Sequence, residues 1–218
     1  KDERGVTVQN LRDRLEIPLT AARIAQLASQ PLQYEAGFTL LPGRYTIKLL
    51  ARDAISGRMG TFEGTFVLPN LNRDQGEVQS SSIVLSDQRI SDADTLFRVK
   101  QRILNGRVDP LARRGQRVVP SVTRVFSAAR GMSVLVYAYR DTAGAGGPIA
   151  AYASLFKDGV KVRETTAARY ELAGAMVPIE IPVALDGIEP GTYTCQVSIL
   201  DLGRQRARFW RATIVVRG

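Results

Sequence analysis

The sequence predicts an all-β protein of two tandem β-sandwich modules, the first incomplete, with short helical insertions. Three observations carry this reading. The block Pro42-Gly43-Arg44-Tyr45-Thr46 recurs as Pro190-Gly191-Thr192-Tyr193-Thr194, and the offset of 148 residues holds without a gap from Asp53 and Asp201 to Thr65-Phe66-Val67 and Thr213-Ile214-Val215. After each Pro-Gly turn the residues alternate apolar and polar, the period of a half-buried strand. Short runs of the same kind return between turn residues through the rest of the chain.

In the first copy Tyr45, Ile47, Leu49 and Ala51 take one face and Thr46, Lys48 and Arg52 the other, with Leu50 as the exception. In the second, Tyr193, Cys195, Val197 and Ile199 point inward, so Cys195 is expected to be a buried core thiol. A strand precedes each turn, over 32–41 and 177–185, and another follows. Pro42-Gly43 and Pro190-Gly191 set tight corners. Tyr45 and Tyr193, two residues past each Gly, can return a hydroxyl to nearby backbone, the tyrosine corner of Ig-like sandwiches.

The second module, residues 77–218, fills in with strands over 81–85, 118–126, 132–140, 149–156 and 160–163, and Lys157-Asp158-Gly159 supplies a hairpin turn. With the corner strands this makes the number a sandwich needs, and a long loop of about 90–117 is inserted. The first module has only residues 1–70, short of the roughly 100 that an Ig-like pair of sheets requires, so strands are expected upstream. A polar linker over 71–76 separates the two. Helices are expected over 19–27, capped by Thr20, and after Ser91-Asp92-Ala93-Asp94, where Leu96, Val99, Ile103 and Leu104 have helical spacing. That acidic pair reads as a helix N-terminus, because it lacks the spaced oxygen ligands of a calcium loop.

Composition narrows the chemistry. Of 218 residues 44% are apolar and 23% charged, ordinary for a globular protein, and no apolar run approaches the roughly 20 residues that span a bilayer. The chain has no His, which removes the commonest general base and the usual metal-ligating imidazole. A single Cys excludes an intrachain disulfide. The net charge of +9 lies mostly beyond residue 70. The opening Lys1-Asp2-Glu3-Arg4 is unlike a signal peptide, so any such segment is expected upstream or already removed. Without His, Ser or Cys nucleophiles lack their usual activator, Gly144-Ala145-Gly146-Gly147-Pro148 is not followed by the Lys of a phosphate loop, and no catalytic, metal or cofactor site is expected.

Two arginine clusters are the candidate partner contacts. Arg107, Arg113, Arg114 and Arg117 end the inserted loop, with no aromatic for a nucleic-acid base to stack on, so specific nucleic-acid recognition is not expected. Arg204, Arg206, Arg208 and Arg211 flank Phe209 and Trp210 on the terminal strand, either protecting a sheet edge or meeting an acidic partner. Alternation places Arg204, Arg206 and Arg208 on one face.

Leu40-Leu41-Pro42-Gly43-Arg44-Tyr45, Ala51-Arg52-Asp53, Ser56-Gly57-Arg58-Met59-Gly60 and Val67-Leu68-Pro69 resemble the C-terminal region of the acidobacterial von Willebrand factor A-related exported proteins. So do Ser80-Ser81-Ser82-Ile83-Val84-Leu85, Arg124-Val125-Phe126 and Ile188-Glu189-Pro190-Gly191-Thr192-Tyr193. Pro-Gly-x-Tyr also occurs in fibronectin type III sandwiches. The resemblance implies export, an upstream von Willebrand A domain and adhesion-like binding; the Asp-x-Ser-x-Ser cation motif of that domain is absent here. The expected function is a non-enzymatic interaction or structural module that binds other subunits, or an upstream domain of the same polypeptide, through sheet edges and loops. Strand donation from another chain would complete the first module. The alternative is a carbohydrate- or polyanion-binding accessory sandwich.

Overall fold

The structure, a computed structural model, describes residues 1–14, 16, 34–71, 78–91, 109–139, 147–171 and 176–218. Their regular structure is all strand. The chain divides into two compact units, one of Lys1–Asn70 with Leu96–Asp109, the other of Leu71–Thr95 with Pro110–Gly218. Residues 72–77, which hold most of the expected linker, lie outside the described residues, as do the helix expected over 19–27 and the one expected after Ser91.

In the first unit, β1 (Gly43–Arg52) and β2 (Met59–Leu68) form one antiparallel ribbon with a continuous register from Gly43↔Leu68 to Arg52↔Met59. On the outer edge of β1 the backbone of Lys1 and Asp2 pairs with Tyr45 and Thr46, the Thr46 amide donating to the Lys1 carbonyl at 2.9 Å. Residues 34–41, expected to be strand, take no strand conformation. The physical reason is visible in the second unit. There the strand before the corner pairs only with a strand of the opposite sheet, and the described residues of the first unit contain no such partner.

The second unit begins with β3 (Val84–Ser86), β4 (Gln88–Ser91), β5 (Ala112–Arg113), β6 (Gln116–Val119), β7 (Val125–Ser127) and β8 (Met132–Tyr139). It continues through β9 (Ile149–Lys157), β10 (Val160–Glu164), β11 (Ala168–Tyr170), β12 (Met176–Val183), β13 (Gly191–Asp201) and β14 (Arg206–Arg217). One sheet runs β10-β9-β13-β14-β7, with β11 also on β9 and β7 parallel to β14. A second runs β12-β8-β3. Alternate residues of both enter one core, Val134, Val136, Ile179 and Ile181 against Ala153, Leu155, Cys195, Val197 and Ile214. This is a sandwich-like pair of layers closed by apolar burial.

The sheet β4-β6-β5 covers the other face of β8, where Leu135 and Tyr137 pack with Val118 and Leu111. β8 is therefore buried on both sides, which explains its nearly unbroken apolar sequence. The ends of the expected loop thus belong to strands. The Arg114-Gly115 turn, both residues at positive φ, closes the β5–β6 hairpin. The strand expected over 118–126 is split, since Pro120 has no N–H to extend a ladder, and β6 and β7 join different sheets. β11 and β4 carried too little alternation to be anticipated.

Candidate interaction surfaces

The sequence repeat is a repeat of backbone pairing. Adding 148 to both members of Gly43↔Leu68 gives Gly191↔Val216, and the same shift carries Arg52↔Met59 onto Leu200↔Ala207. Both corner tyrosines point back, Tyr45 Oη donating to the Leu41 carbonyl and Tyr193 Oη to the Glu189 carbonyl, each at 2.7 Å. The Tyr45 ring lies over Gly43, and Pro42 and Pro190 precede the two strands at the corners. At the far end, Asp53 Oδ1 accepts the Ile55 amide and Asp201 Oδ1 the Gly203 amide, both at 3.0 Å, the same aspartate-capped turn in each copy. The Ser56 hydroxyl first, and the Ile55 amide next, hold the Asp53 carboxyl below its ordinary range.

The burial of the two hairpins differs. Cys195, Val197 and Ile199 are 0% exposed, whereas Leu49, at the position of Val197, is 52% exposed, and Phe62, at the position of Trp210, is 60% exposed. The open face carries Ile47, Leu49, Ala51, Gly60, Phe62 and Gly64, with no charged side chain. At its corner end Tyr45 is buried and stacks on Phe66 with ring centroids 5.7 Å apart. Periodicity places Ile47, Leu49 and Ala51 with Tyr45 on one face of a half-buried strand, and the pairing adds Gly60, Phe62 and Gly64 to that face.

Arg107 lies outside the described residues. Arg113 is half-buried, and its guanidinium reaches Glu180 at 3.0 Å while Arg89 reaches the other carboxylate oxygen at 2.7 Å. Glu180 on β12 thus ties the covering sheet to the sandwich. Arg114 is exposed in its turn and Arg117 is half-buried on β6. These three side chains point to different surroundings and form no single described patch.

On the terminal hairpin, Arg204 lies in the turn, with its amide bound to Asp201, rather than on the strand face shared by Arg206 and Arg208. Arg208 covers the Trp210 ring at 4.7 Å, and the indole N–H donates to Ser80 Oγ at 3.1 Å. Trp210 therefore packs on the core and bridges the two sheets, and Phe209, 56% exposed, is the outward aromatic. Arg211 lies beside it and donates to the Gln196 side chain at 2.8 Å.

Burial pushes the Cys195 thiol up to about 12, so it is a packed core group, not a nucleophile. Among the described residues no three His, Cys, Asp or Glu side chains gather as metal ligands, and no helix is long and apolar enough to cross a membrane. Compared with known proteins, the chain matches no family model and no curated relative.

Proposed function

We propose that this chain is a non-enzymatic interaction or structural module of an exported cell-envelope protein, built from Ig-like units and binding through sheet edges and loops. The observation that carries it is the contrast between two copies of one hairpin. The second buries its apolar face under another sheet, and the first leaves Leu49 and Phe62 in solvent. An exposed, contiguous, uncharged apolar face is characteristic of a contact surface. The resemblance to the von Willebrand factor A-related proteins supports export and makes an upstream domain of the same polypeptide one natural partner.

The test places a photoreactive phenylalanine analogue at Phe62 and, as control, at Thr61 on the opposite face, in native envelope material. Defined adducts from position 62 and none from position 61 support the reading. Equal or absent adducts count against it.

A second reading, a carbohydrate- or polyanion-binding accessory module, is favoured by exposed Phe209 beside Arg211. It predicts that reversing Arg206 and Arg211 to Glu abolishes retention on a polyanion column. Unchanged retention removes it.

A further inference from the structure

We infer that the outer edge of β14, over residues 206–213, is a β-addition site for an extended segment of another polypeptide that sets an apolar residue against Phe209 and an acidic one against Arg211. The inference rests on the interaction reading above and goes beyond it, naming a site in the second unit that owes nothing to the first hairpin. β14 runs in continuous register with β13 from Gly191↔Val216 to Asp201↔Arg206. Its other side is taken at one end alone. There β7 pairs with Val215, Val216 and Arg217, and the Val215 amide donates to the Arg124 carbonyl at 2.9 Å. Upstream of β7 the chain turns away at Arg124, whose φ is 53°. Among the described residues no strand lies along the rest of this edge.

The register follows from β7. Because Val215 directs its N–H to that side, the two-residue period sends the N–H and C=O groups of Ala207, Phe209, Arg211 and Thr213 the same way. Those of Arg208, Trp210 and Ala212 turn to β13. The first set finds no backbone partner among the described residues. Its side chains stand on the face away from the core, whereas Trp210, Ala212 and Ile214 pack into it.

Proteins block bare edges with prolines, bulges or brevity. The other outer strands of the sandwich do so. β12 carries Pro178 and Pro182 on the side where the Glu180 carbonyl accepts from the Tyr170 hydroxyl. β10 breaks its register between Lys161 and Arg163. β3, β7 and β11 have three residues each. Residues 206–213 hold no proline, and their pairing with β13 has no shift.

Charge and shape name the occupant. The segment carries Arg206, Arg208 and Arg211 and no acidic residue, so it repels a basic strand and attracts an acidic one. On the outward face Phe209 and Arg211 are both exposed, two residues apart. Gln196 holds Arg211 through Nε, and among the described residues its two terminal nitrogens make no bond, which leaves them for a carboxylate. A strand with an apolar residue opposite Phe209 therefore needs its acidic residue two positions away.

The test uses the full chain and three synthetic peptides. One has Ile and Glu two residues apart in a threonine background, one has Lys for Glu, and one repeats the Glu version with N-methyl groups on its bonding side. In the free chain the amides of Ala207, Phe209, Arg211 and Thr213 are expected to exchange fast beside slow Arg208, Trp210 and Ala212. The Glu peptide is expected to slow the first set at least tenfold, to bind about fivefold more tightly than the Lys peptide, and to lose binding when N-methylated. Arg211→Glu is expected to reverse the charge preference. Ala207→Pro, which removes an edge N–H outside the β13 ladder, is expected to weaken binding with little change in Tm.

Slow exchange of the first set in the free monomer overturns the inference, since the chain then covers its own edge. Equal binding of the Glu and Lys peptides overturns it, and so does undiminished binding of the N-methylated one, which marks attraction by charge alone. Protection that grows with protein concentration, without peptide, assigns the edge to a second copy and also overturns it. If no peptide binds while Phe62 still cross-links to a partner, the addition site is wrong and the interaction reading stands; if both fail, both fall.

Discussion

Tyr193 donates its hydroxyl to the backbone carbonyl of Glu189, four residues back, and the same bond joins Tyr45 to Leu41 in the first unit. The two rings are buried, so each corner couples a hydrogen bond to apolar packing. Tyr193→Phe removes the bond alone and is expected to cost about 0.5–1.5 kcal/mol. Tyr193→Ala also empties the ring's site and should cost about 3–5 kcal/mol. Urea denaturation of the two variants separates the terms; a Tyr193→Phe variant as stable as wild type would deny the bond a role.

Glu180 receives two guanidinium groups from the covering sheet, Arg89 and Arg113. All three side chains are about one-third exposed, so solvent screening keeps each pair to about 1 kcal/mol or less. Glu180→Gln is expected to leave the sandwich folded and to speed amide exchange in Gln116–Val119. Unchanged exchange there would show that Leu111 and Val118 hold the layer by packing alone.

Gly131 and Gly115 separate steric from conformational cost. Both have positive φ, near +68° and +73°, yet a Cβ on Gly131 would lie 2.9 Å from the Val183 carbonyl oxygen, while one on Gly115 meets nothing within 4 Å. Gly131→Ala is expected to destabilise by more than the roughly 1 kcal/mol of Gly115→Ala, because backbone must move as well. Thermal melts of the pair measure the difference.

Cys195 makes stability fall at high pH. Its thiol titrates at about 12 in the fold, against an ordinary value of 9.0 in the unfolded chain. The folded form therefore holds its proton longer, and the stabilisation, complete below 9, is lost progressively up to about 12. The slope reaches about 1.4 kcal/mol per pH unit. Comparing wild type with Cys195→Val across this range isolates the effect, and native thiol alkylation at pH 8 should be negligible without denaturant.

Most of the second unit was readable in advance because its strands bury one face and so alternate, as in Tyr193, Cys195, Val197 and Ile199. β8, β9, β10 and β12 lie within a residue or two of where the pattern puts them. Pattern failed where burial does not alternate. The covering sheet draws Gln88–Ser91 and Gln116–Val119 from a stretch rich in Arg, and only Glu180, some sixty residues further on, reveals why those arginines are there. The flanking Arg208 and Arg211 place Trp210 among candidate contacts, because a sequence cannot show that its N–H meets Ser80 across the sandwich. The open face of the first hairpin was legible as apolar but not as open: periodicity reports which side chains share a face, not what covers it.

The central claim is that this open hairpin is covered when the protein is at work. The most direct measurement is amide hydrogen exchange of β1 in the purified chain and in any complexes captured from its native source, with β13 as internal reference. A covered hairpin predicts that the β1 amides exchange about a hundredfold more slowly in such complexes while Cys195 and Val197 do not change. Identical β1 rates in the two preparations would contradict it.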